Sequence, residues 1–249
     1  MREKITPPIN PLISSYLPLV DFLGKLIGPH CEVVLHDLTS PERSVVAIAN
    51  GYISGRAVGA PLTDFALRML KEKTHAAVDF LHEYEGALKN GKAMRSSTFF
   101  IKDRDAQLVG LLCFNVDMSR LQGLHEELGN VLSAYFNRNG LHGPSDPPNG
   151  AVASPFPGAP VPSPVHFGES ETFSESIEDL MNSSIAKAIA PYGLPPKRLS
   201  PAEREEVVET LFKKGFFQLR GAVEHVAAAF GLSDATIYRY LKSVQKRNA

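Results

Sequence analysis

Residues 221–241 constrain the fold of this chain more than any other segment, because they predict two short helices joined by a tight turn. The segment reads GAVEHVAAAFGLSDATIYRYL. Its first apolar residues follow the i, i+3, i+4, i+7 spacing of an amphipathic helix: Val223, Val226, Ala227 and Phe230. Gly231 interrupts the pattern where a left-handed residue allows a sharp turn, and Ser233 is a suitable cap for a second helix.

The second helix has an apolar side and a cationic side. Ile237, Leu241 and Val244 form one stripe, and Arg239, Lys242 and Lys246 lie opposite to it. This is the layout of a helix-turn-helix, whose second helix lies in the major groove of double-stranded DNA. We expect these residues to contact DNA: Ser233, Asp234, Ala235, Thr236, Tyr238, Arg239, Lys242 and Lys246.

The alternative is a helical hairpin that only packs. Residues 236–249 contain four basic residues and no acidic one, which favours contact with phosphates. The preceding segment completes a three-helix unit, since residues 200–203 read SPAE, a capping box with Pro at the first helical position. Val207, Val208, Leu211 and Phe212 then form an apolar face, and Gly215 is expected to end the helix.

Charge is distributed unevenly along the 249 residues. The net charge of the chain is −1, but the part from Lys197 onward carries ten basic and six acidic residues. A basic terminal module on an acidic body is typical of a DNA reader attached to a domain with another task.

The remaining composition excludes several classes. Cys31 and Cys113 stand alone, and no charged-then-apolar leader begins the sequence, so we expect a reducing cytoplasm. Every apolar stretch is far shorter than the ~20 residues that span a bilayer, so no membrane partner is expected. No GxGxxG, P-loop, HExxH or nucleophile elbow occurs, and we predict no enzyme activity, catalytic residue, metal site or cofactor.

A segment rich in Pro and Gly divides the chain. Residues 140–168 contain eight prolines and five glycines, with Asp146 as their only formal charge, a composition that favours an extended spacer. The predicted organisation is a first domain at 12–138, a linker at 139–172, a connecting helix at 173–191 and a helix-turn-helix domain at 198–249.

The first domain alternates strand and helix patterns. Two β-branched runs, residues 32–37 and 44–50, flank a turn-prone TSP sequence and predict a hairpin. Residues 62–73 have the apolar spacing of a helix that starts near Pro61 or Thr63. A second hairpin is predicted from residues 97–101 and 108–117, so the fold class is α+β.

Three segments of this domain resemble the YheO-like PAS family. They are VVLHDL at 33–38, VAIANGYISGRAVGAPLTD at 46–64 and MRSSTFFIKDRDAQLVGLLCFNVDMS at 94–119. The resemblance implies a PAS-like antiparallel sheet with flanking helices, followed by an all-α helix-turn-helix domain. It also implies that the domain senses a small molecule. An amino-acid-like or carboxylated metabolite is the first ligand class to test, because family members include repressors of amino-acid catabolism. The Pro-rich segment is longer than is usual in the family.

A ligand pocket needs a few convergent polar groups in apolar surroundings. Polar residues that interrupt the apolar runs are therefore candidate ligand contacts: His36, Asn50, Ser54, Arg56, Arg95, Ser97 and Asn115. Arg56 and Arg95 are of most interest, since a guanidinium binds a carboxylate through two parallel hydrogen bonds. The alternative for each residue is a hydrogen bond within a turn or at a strand end.

Two further apolar stripes, residues 121–135 and 177–189, have helical spacing and fit either packing within a domain or pairing of two copies. We therefore expect a homo-oligomer, a dimer or higher. The sequence as a whole indicates a cytoplasmic transcriptional regulator, a repressor, whose DNA affinity responds to a small-molecule effector. The alternatives are a cofactor-binding redox sensor or enzyme with an accessory DNA-binding module, and a module that binds another protein.

Overall fold

The computed structural model describes residues 8–88, 91–139 and 171–247. The strands within these residues are β1 (Cys31–Asp37), β2 (Val45–Ala49), β3 (Phe80–Ala87), β4 (Ala93–Lys102), β5 (Leu108–Asp117) and β6 (Glu171–Thr172). The α-helices are α1 (Pro11–Ser14), α2 (Leu17–Ile27), α3 (Asp64–Glu72), α4 (Ser119–Asn139), α5 (Ile177–Ile189), α6 (Pro201–Lys213), α7 (Ala222–Phe230) and α8 (Asp234–Arg247). The fold is α+β, as the sequence predicts.

The six strands form one sheet in the order β2-β1-β5-β4-β3-β6. The two predicted hairpins are present as the antiparallel pairs β1–β2 and β4–β5. The sheet is mixed, because the edge strand β6 pairs in parallel with β3. Residues 171 and 172, assigned to the linker by their position after the Pro-rich run, therefore belong to the sheet.

The outer face of β1, β2 and β5 is largely apolar and is covered by the first two helices. Ile13 of α1 and Val20 of α2 pack with Val33, Leu35 and Leu112 in one buried cluster. Every second residue of these strands is buried on this face, since successive side chains of a strand point to opposite faces. Glu32 and His36 of β1 and Asn115 of β5 consequently point to the inner face.

Helix α3 covers the inner face. Thr63 caps this helix by accepting a hydrogen bond from the Ala66 amide at 3.1 Å, as the sequence indicates. The Phe65 ring stacks on Tyr84 of β3 with a centroid distance of 4.4 Å.

The C-terminal domain contains the predicted caps and turns. Ser200 and Glu203 form the capping box of α6, and Gly215 and Gly231 adopt left-handed φ values of 74° and 67°. Helix α5, which the sequence suggests as a connector, packs against α6 and α7.

The two domains touch through several polar contacts and a shared apolar core. The Arg220 amide donates to Glu42 Oε1 at 2.7 Å, and Lys187 Nζ lies 2.6 Å from Asp64 Oδ2. In the described part of the chain, no helix has the length and apolarity needed to cross a membrane.

Helix α4 contains the predicted stripe at 121–135. Leu124, Leu128 and Val131 are 63%, 58% and 66% exposed, so the described part of the stripe faces solvent. The side chains of Leu121 and Tyr135 lie outside the described residues.

Candidate functional site

The inner face of the sheet carries an unusual number of buried polar side chains. We call the following residues, all buried except the half-buried Ser54, the interior cluster: Glu32, His36, Ser54, Arg56, Thr63, Tyr84, Ser96, Thr98, Asn115 and Glu171. Strand register explains much of this set, because Glu32 lies opposite Asn115, and Asn115 lies opposite Ser96, on three adjacent strands. Residues that pair directly across antiparallel strands share one face.

A hydrogen-bonded chain runs across these strands to Glu32. Ser96 Oγ donates to Asn115 Oδ1 at 2.9 Å, and Asn115 Nδ2 donates to Glu32 Oε1 at 2.9 Å. Ser54 Oγ donates to the other oxygen, Glu32 Oε2. Burial raises the pKa of Glu32, although the hydrogen bonds from Ser54 and Asn115 oppose this rise. Both oxygens of this carboxyl group are therefore held in fixed positions.

The cluster contains two basic residues, His36 and Arg56. Arg56 is 4% exposed. It lies in the loop between β2 and α3, where its Nη2 donates to the Pro61 carbonyl. Its Nε is buried and has no hydrogen-bond partner among the described residues. Burial lowers the pKa of Arg56, and the nearby carboxylates of Glu32 and Glu171 oppose this. An arginine stays charged in proteins, so its burial needs an acceptor for the remaining N–H groups.

Glu171 reaches the cluster from β6 and is 4% exposed. Its Oε1 accepts a hydrogen bond from Thr63 Oγ1 at 2.7 Å. Its Oε2 is buried and, among the described residues, accepts no hydrogen bond of good geometry, although the Tyr84 and Ser96 hydroxyls face this carboxyl group. Burial raises the pKa of Glu171 to about 7, with Thr63 and Arg56 acting in the opposite direction. The cluster thus contains an unsatisfied donor on Arg56 and an unsatisfied acceptor on Glu171.

The other cluster members are satisfied within the chain. His36 Nδ1 and Ser44 Oγ hydrogen-bond at 2.9 Å, and burial holds the pKa of His36 well below its ordinary value, so the imidazole is neutral. The Tyr84 hydroxyl and Thr98 Oγ1 hydrogen-bond at 2.8 Å. The hydrogen-bonding groups of these side chains are therefore already used within the chain.

The structure brings four of the seven predicted ligand contacts together: His36, Ser54, Arg56 and Asn115. Asn50 lies apart, where its Nδ2 donates to the Gly28 and Cys31 carbonyls at 3.0 and 2.7 Å. The Asn50 side chain thus stabilises the turn between α2 and β1. This is the alternative role, a hydrogen bond within a turn, that the sequence allows for each candidate.

Arg95 and Ser97 point to the opposite face of β4 from Ser96 and Thr98, because side chains alternate along a strand. The Arg95 side chain is 50% exposed and lies 3.9 Å from Glu83, whose amide donates to Ser97 Oγ. The expectation that both residues line the same pocket as Arg56 is therefore corrected.

Six further members of the cluster are not among the predicted contacts: Glu32, Thr63, Tyr84, Ser96, Thr98 and Glu171. A signal for Glu32 exists, because Glu32, Val34 and His36 alternate in the run CEVVLHD. Glu171 follows the Pro-rich segment without any local pattern, and only the fold brings it to the sheet.

The second candidate surface is the exposed side of α8. The residues expected to contact DNA lie on this side or just before the helix, all exposed except the half-buried Thr236: Ser233, Asp234, Ala235, Thr236, Tyr238, Arg239, Lys242 and Lys246. Ile237, Leu241 and Val244 are buried as predicted, together with Tyr240. Arg247 lies 2.7 Å from Glu205 of α6, so its charge is partly neutralised.

Comparison with known proteins agrees with both domains. A family model described as the YheO-like PAS domain matches residues 7–133, and a model described as an HTH domain matches residues 180–242. The chain belongs to the YheO-like PAS family. The second match includes most of α5. This helix therefore belongs to the matched helix-turn-helix region, in addition to packing against α6 and α7.

Relatives extend over nearly the whole chain. The uncharacterised protein YheO of Escherichia coli strain K12 is 31% identical over 93% of this chain and 84% of its own length. The transcriptional regulator DauR of Pseudomonas aeruginosa is 25% identical over 97% of this chain and 99% of its own. Among solved structures, the PAS domain of the fruit-fly ELK potassium channel is 18% identical, covers 40% of this chain and 96% of that chain, and has a TM-score of 0.28. A YheO-like PAS domain followed by a helix-turn-helix is the composition of a DNA-binding transcriptional regulator.

Proposed function

We propose that this protein is a metabolite-responsive transcriptional regulator, a cytoplasmic repressor, whose PAS domain binds a small zwitterion such as an amino acid. The observation that carries the proposal is Arg56, a buried guanidinium whose Nε has no partner among the described residues. Leaving a charged group of this kind unsatisfied is costly, and a bound anion removes the cost.

The chemistry around Arg56 selects the ligand class. A carboxylate of the ligand accepts hydrogen bonds from the guanidinium, a strong and directional pairing. The carboxylates of Glu32 and Glu171 exert their charge on Arg56 and offer acceptors for an ammonium group. A ligand with both groups satisfies both sides of the cluster, whereas a simple carboxylic acid adds a further negative charge beside two glutamates.

The loop between β2 and α3 is the element through which we expect the ligand to enter. It carries Ser54 and Arg56, and it has irregular backbone with glycines at positions 51, 55 and 59. Gly55 and Gly59 adopt φ values of 78° and 89°, which other residues rarely reach. Lid loops of this kind open to admit a ligand and then close over it.

The helix-turn-helix domain supplies the output. Arg239 and Lys242 are exposed on α8, the helix that enters the major groove in this motif. The relative DauR is named a transcriptional regulator, which supports this assignment. Exposed apolar residues on α4 support assembly into a homodimer, which would present two copies of α8 to two half-sites.

The test is ligand binding to the full chain, measured by thermal shift and calorimetry with three matched sets of compounds. These are free α-amino acids, the same carboxylic acids without the amino group, and the same amines without the carboxylate. We expect at least one amino acid to raise the melting temperature, because a ligand that binds only the folded state stabilises it. Its two truncated analogues should bind far more weakly. A chain that none of the amino acids stabilises, or that binds amines and amino acids equally, would contradict the proposal.

A further inference from the structure

A short segment joins the interior cluster to the DNA-binding domain. We call residues 171–176 the strap; they begin with β6 and end at Ser176, which caps α5 by accepting from the Asp179 amide at 3.1 Å. Glu171 is thus only six positions before the first residue of α5. A displacement of Glu171 must move the start of α5, since so few residues have little slack.

The strap is anchored in the PAS domain by backbone and side-chain contacts. Glu171 and Thr172 pair with Gly86 and Ala87 of β3. Phe173 is 1% exposed and packs with Leu88 and Met94 in a small cluster of its own. A Cβ at Gly86 would lie 3.0 Å from the Phe173 ring, so this glycine allows the ring to approach the sheet.

The other end of the strap is fixed to the helix-turn-helix domain. Leu180, Met181 and Ile185 of α5 are buried in the core that they share with α6 and α7. Lys187 Nζ bonds to Asp64 at the start of α3 and to Thr172 Oγ1, so one α5 side chain holds both β6 and α3. The Thr172 amide donates to the second oxygen of Asp64 at 2.8 Å. Strap, α3 and α5 therefore form one connected unit.

We propose that Glu171 is an effector contact, and that the strap transmits occupancy of the effector site to the DNA-binding domain. This inference rests on the proposed function, because it names the residue that completes the same site and the route by which the site is read. The ammonium of the effector donates to Glu171 Oε2 while its carboxylate pairs with Arg56. The bound effector then ties the strap to the loop that carries Arg56 and holds α5 in the docked position.

The geometry favours bridging over displacement. Thr63 already holds Glu171 Oε1, and Oε2 has no partner among the described residues. Arg56 Nε and Glu171 Oε2 have no hydrogen-bond partner among the described residues, so an effector can reach both atoms without breaking a hydrogen bond. A ligand with an anion and a cation at its two ends satisfies both unpaired groups at once.

The first experiment measures binding to Glu171→Gln, with Glu178→Gln as the control. Glutamine keeps an oxygen for Thr63 but removes the charge that attracts an ammonium, and Glu178 is an exposed residue in the first turn of α5. We expect the amino acid that binds best to wild type to bind Glu171→Gln at least about tenfold more weakly, whereas Glu178→Gln binds like wild type. An amino acid that binds wild type and Glu171→Gln equally would overturn the role of Glu171 and leave the proposed function standing.

The second experiment locks the strap with a disulfide. Ala87 and Thr172 are direct partners on β3 and β6, and neighbouring strands lie within the Cα separation that a disulfide accepts. The variant carries Ala87→Cys and Thr172→Cys. The natural cysteines, Cys31 and Cys113, are free and buried. Thr172→Cys alone, treated with the same oxidant, is the control for loss of the hydroxyl.

The readouts are amide hydrogen exchange over residues 171–189 and affinity for a duplex that the wild-type chain selects from a random pool. The oxidised lock should slow exchange in α5 relative to the reduced form. It should also change the DNA dissociation constant by about fivefold or more, the lower range of allosteric coupling. Oxidised and reduced forms with the same exchange and the same DNA affinity would overturn the strap as the route. This second test needs no effector, so its failure is distinct from a failure to find a ligand.

Discussion

Thr63 Oγ1 and Glu171 Oε1 lie 2.7 Å apart although 108 positions separate the two residues in the sequence. The same Thr63 oxygen accepts from the Ala66 amide at 3.1 Å and so caps α3. One hydroxyl group thereby fixes the start of a PAS helix and receives the strand that follows the Pro-rich segment. Glu171 therefore belongs to the sensor domain, although it follows the Pro-rich segment in the sequence.

Replacing Thr63 tests the energy of this junction. Thr63→Val keeps the shape of the side chain but loses both the cap and the hydrogen bond to Glu171 Oε1. We expect the free energy of unfolding to fall by about 2 to 4 kcal/mol, from a lost cap and a lost hydrogen bond to a charged group. Urea denaturation measures the change. Thr63→Ser keeps the hydroxyl and should stay within about 1 kcal/mol of wild type; equal losses in both variants would show that the hydroxyl contributes little.

Arg56 offers a test of how the effector is recognised. Arg56→Lys keeps a positive charge but cannot form two parallel hydrogen bonds to a carboxylate. We expect amino-acid affinity, measured by calorimetry, to fall by about tenfold or more, which corresponds to about 1.4 kcal/mol. Arg95→Lys is the matched control, because Arg95 is half exposed on the other face of the sheet and should leave affinity unchanged. The reverse ranking of the two variants would place the effector on the outer face.

The fold follows from the sequence wherever a local pattern decides the structure. The two hairpins, α3 with its Thr63 cap, and the turns at Gly215 and Gly231 are each specified by residues within a few positions of one another. Strand β6 has no such pattern, since its two residues gain their partners only when β3 is already in place. Pairing of that kind is decided by tertiary contacts, which propensity does not record.

Some residues of the candidate site can be identified from local sequence, and others only from the fold. Arg56 and Asn115 were identifiable as polar residues in otherwise apolar or Gly-rich runs. Arg95 and Ser97 share one face of β4, as the alternation predicts, but Ser96 and Thr98 are the residues on the face that carries the interior cluster. A shift of one position in a strand exchanges the two faces for every side chain. Glu171 could not be found from local sequence at all.

The titration of Glu171 predicts a pH dependence of stability. Burial raises its pKa from 4.5 to about 7, and the groups that face it are Thr63, Arg56, Asp64, Ser96, Tyr84 and Cys113. The folded state therefore holds this proton more tightly than the unfolded state, so the group's contribution to stability falls as pH rises from about 4.5 to 7 and is constant above that. Urea denaturation of wild type and Glu171→Gln should show the variant gaining relative to wild type across this window. A difference that does not vary with pH would contradict the assignment.

The exposed stripe of α4 predicts self-association. Leu128 is 58% exposed beside Leu124 and Val131, so Leu128→Glu should weaken a dimer that buries this face without disturbing the core. We expect sedimentation velocity to show a dimer for wild type and a shift to monomer for the variant at micromolar concentration. Phe22→Glu, equally exposed at 58% on α2, is the control and should remain dimeric. Loss of the dimer in the control alone would move the interface to α2.

The last prediction concerns the DNA-facing side of α8. Arg239 and Lys242 are exposed, on the side away from the buried residues Ile237 and Val244. If Arg239 reads a base, Arg239→Ala should cost about 1 to 3 kcal/mol on the selected duplex and little on unrelated DNA; if it holds a phosphate, all duplexes should weaken equally. Lys242→Ala should reduce the slope of log affinity against log salt concentration by about 1, because one phosphate contact is lost. Arg104→Ala, an exposed arginine in the turn between β4 and β5, is the control for net charge. Gel-shift titrations over a range of salt concentrations measure all three variants, and unchanged binding by both α8 variants would show that this side of the helix does not face DNA.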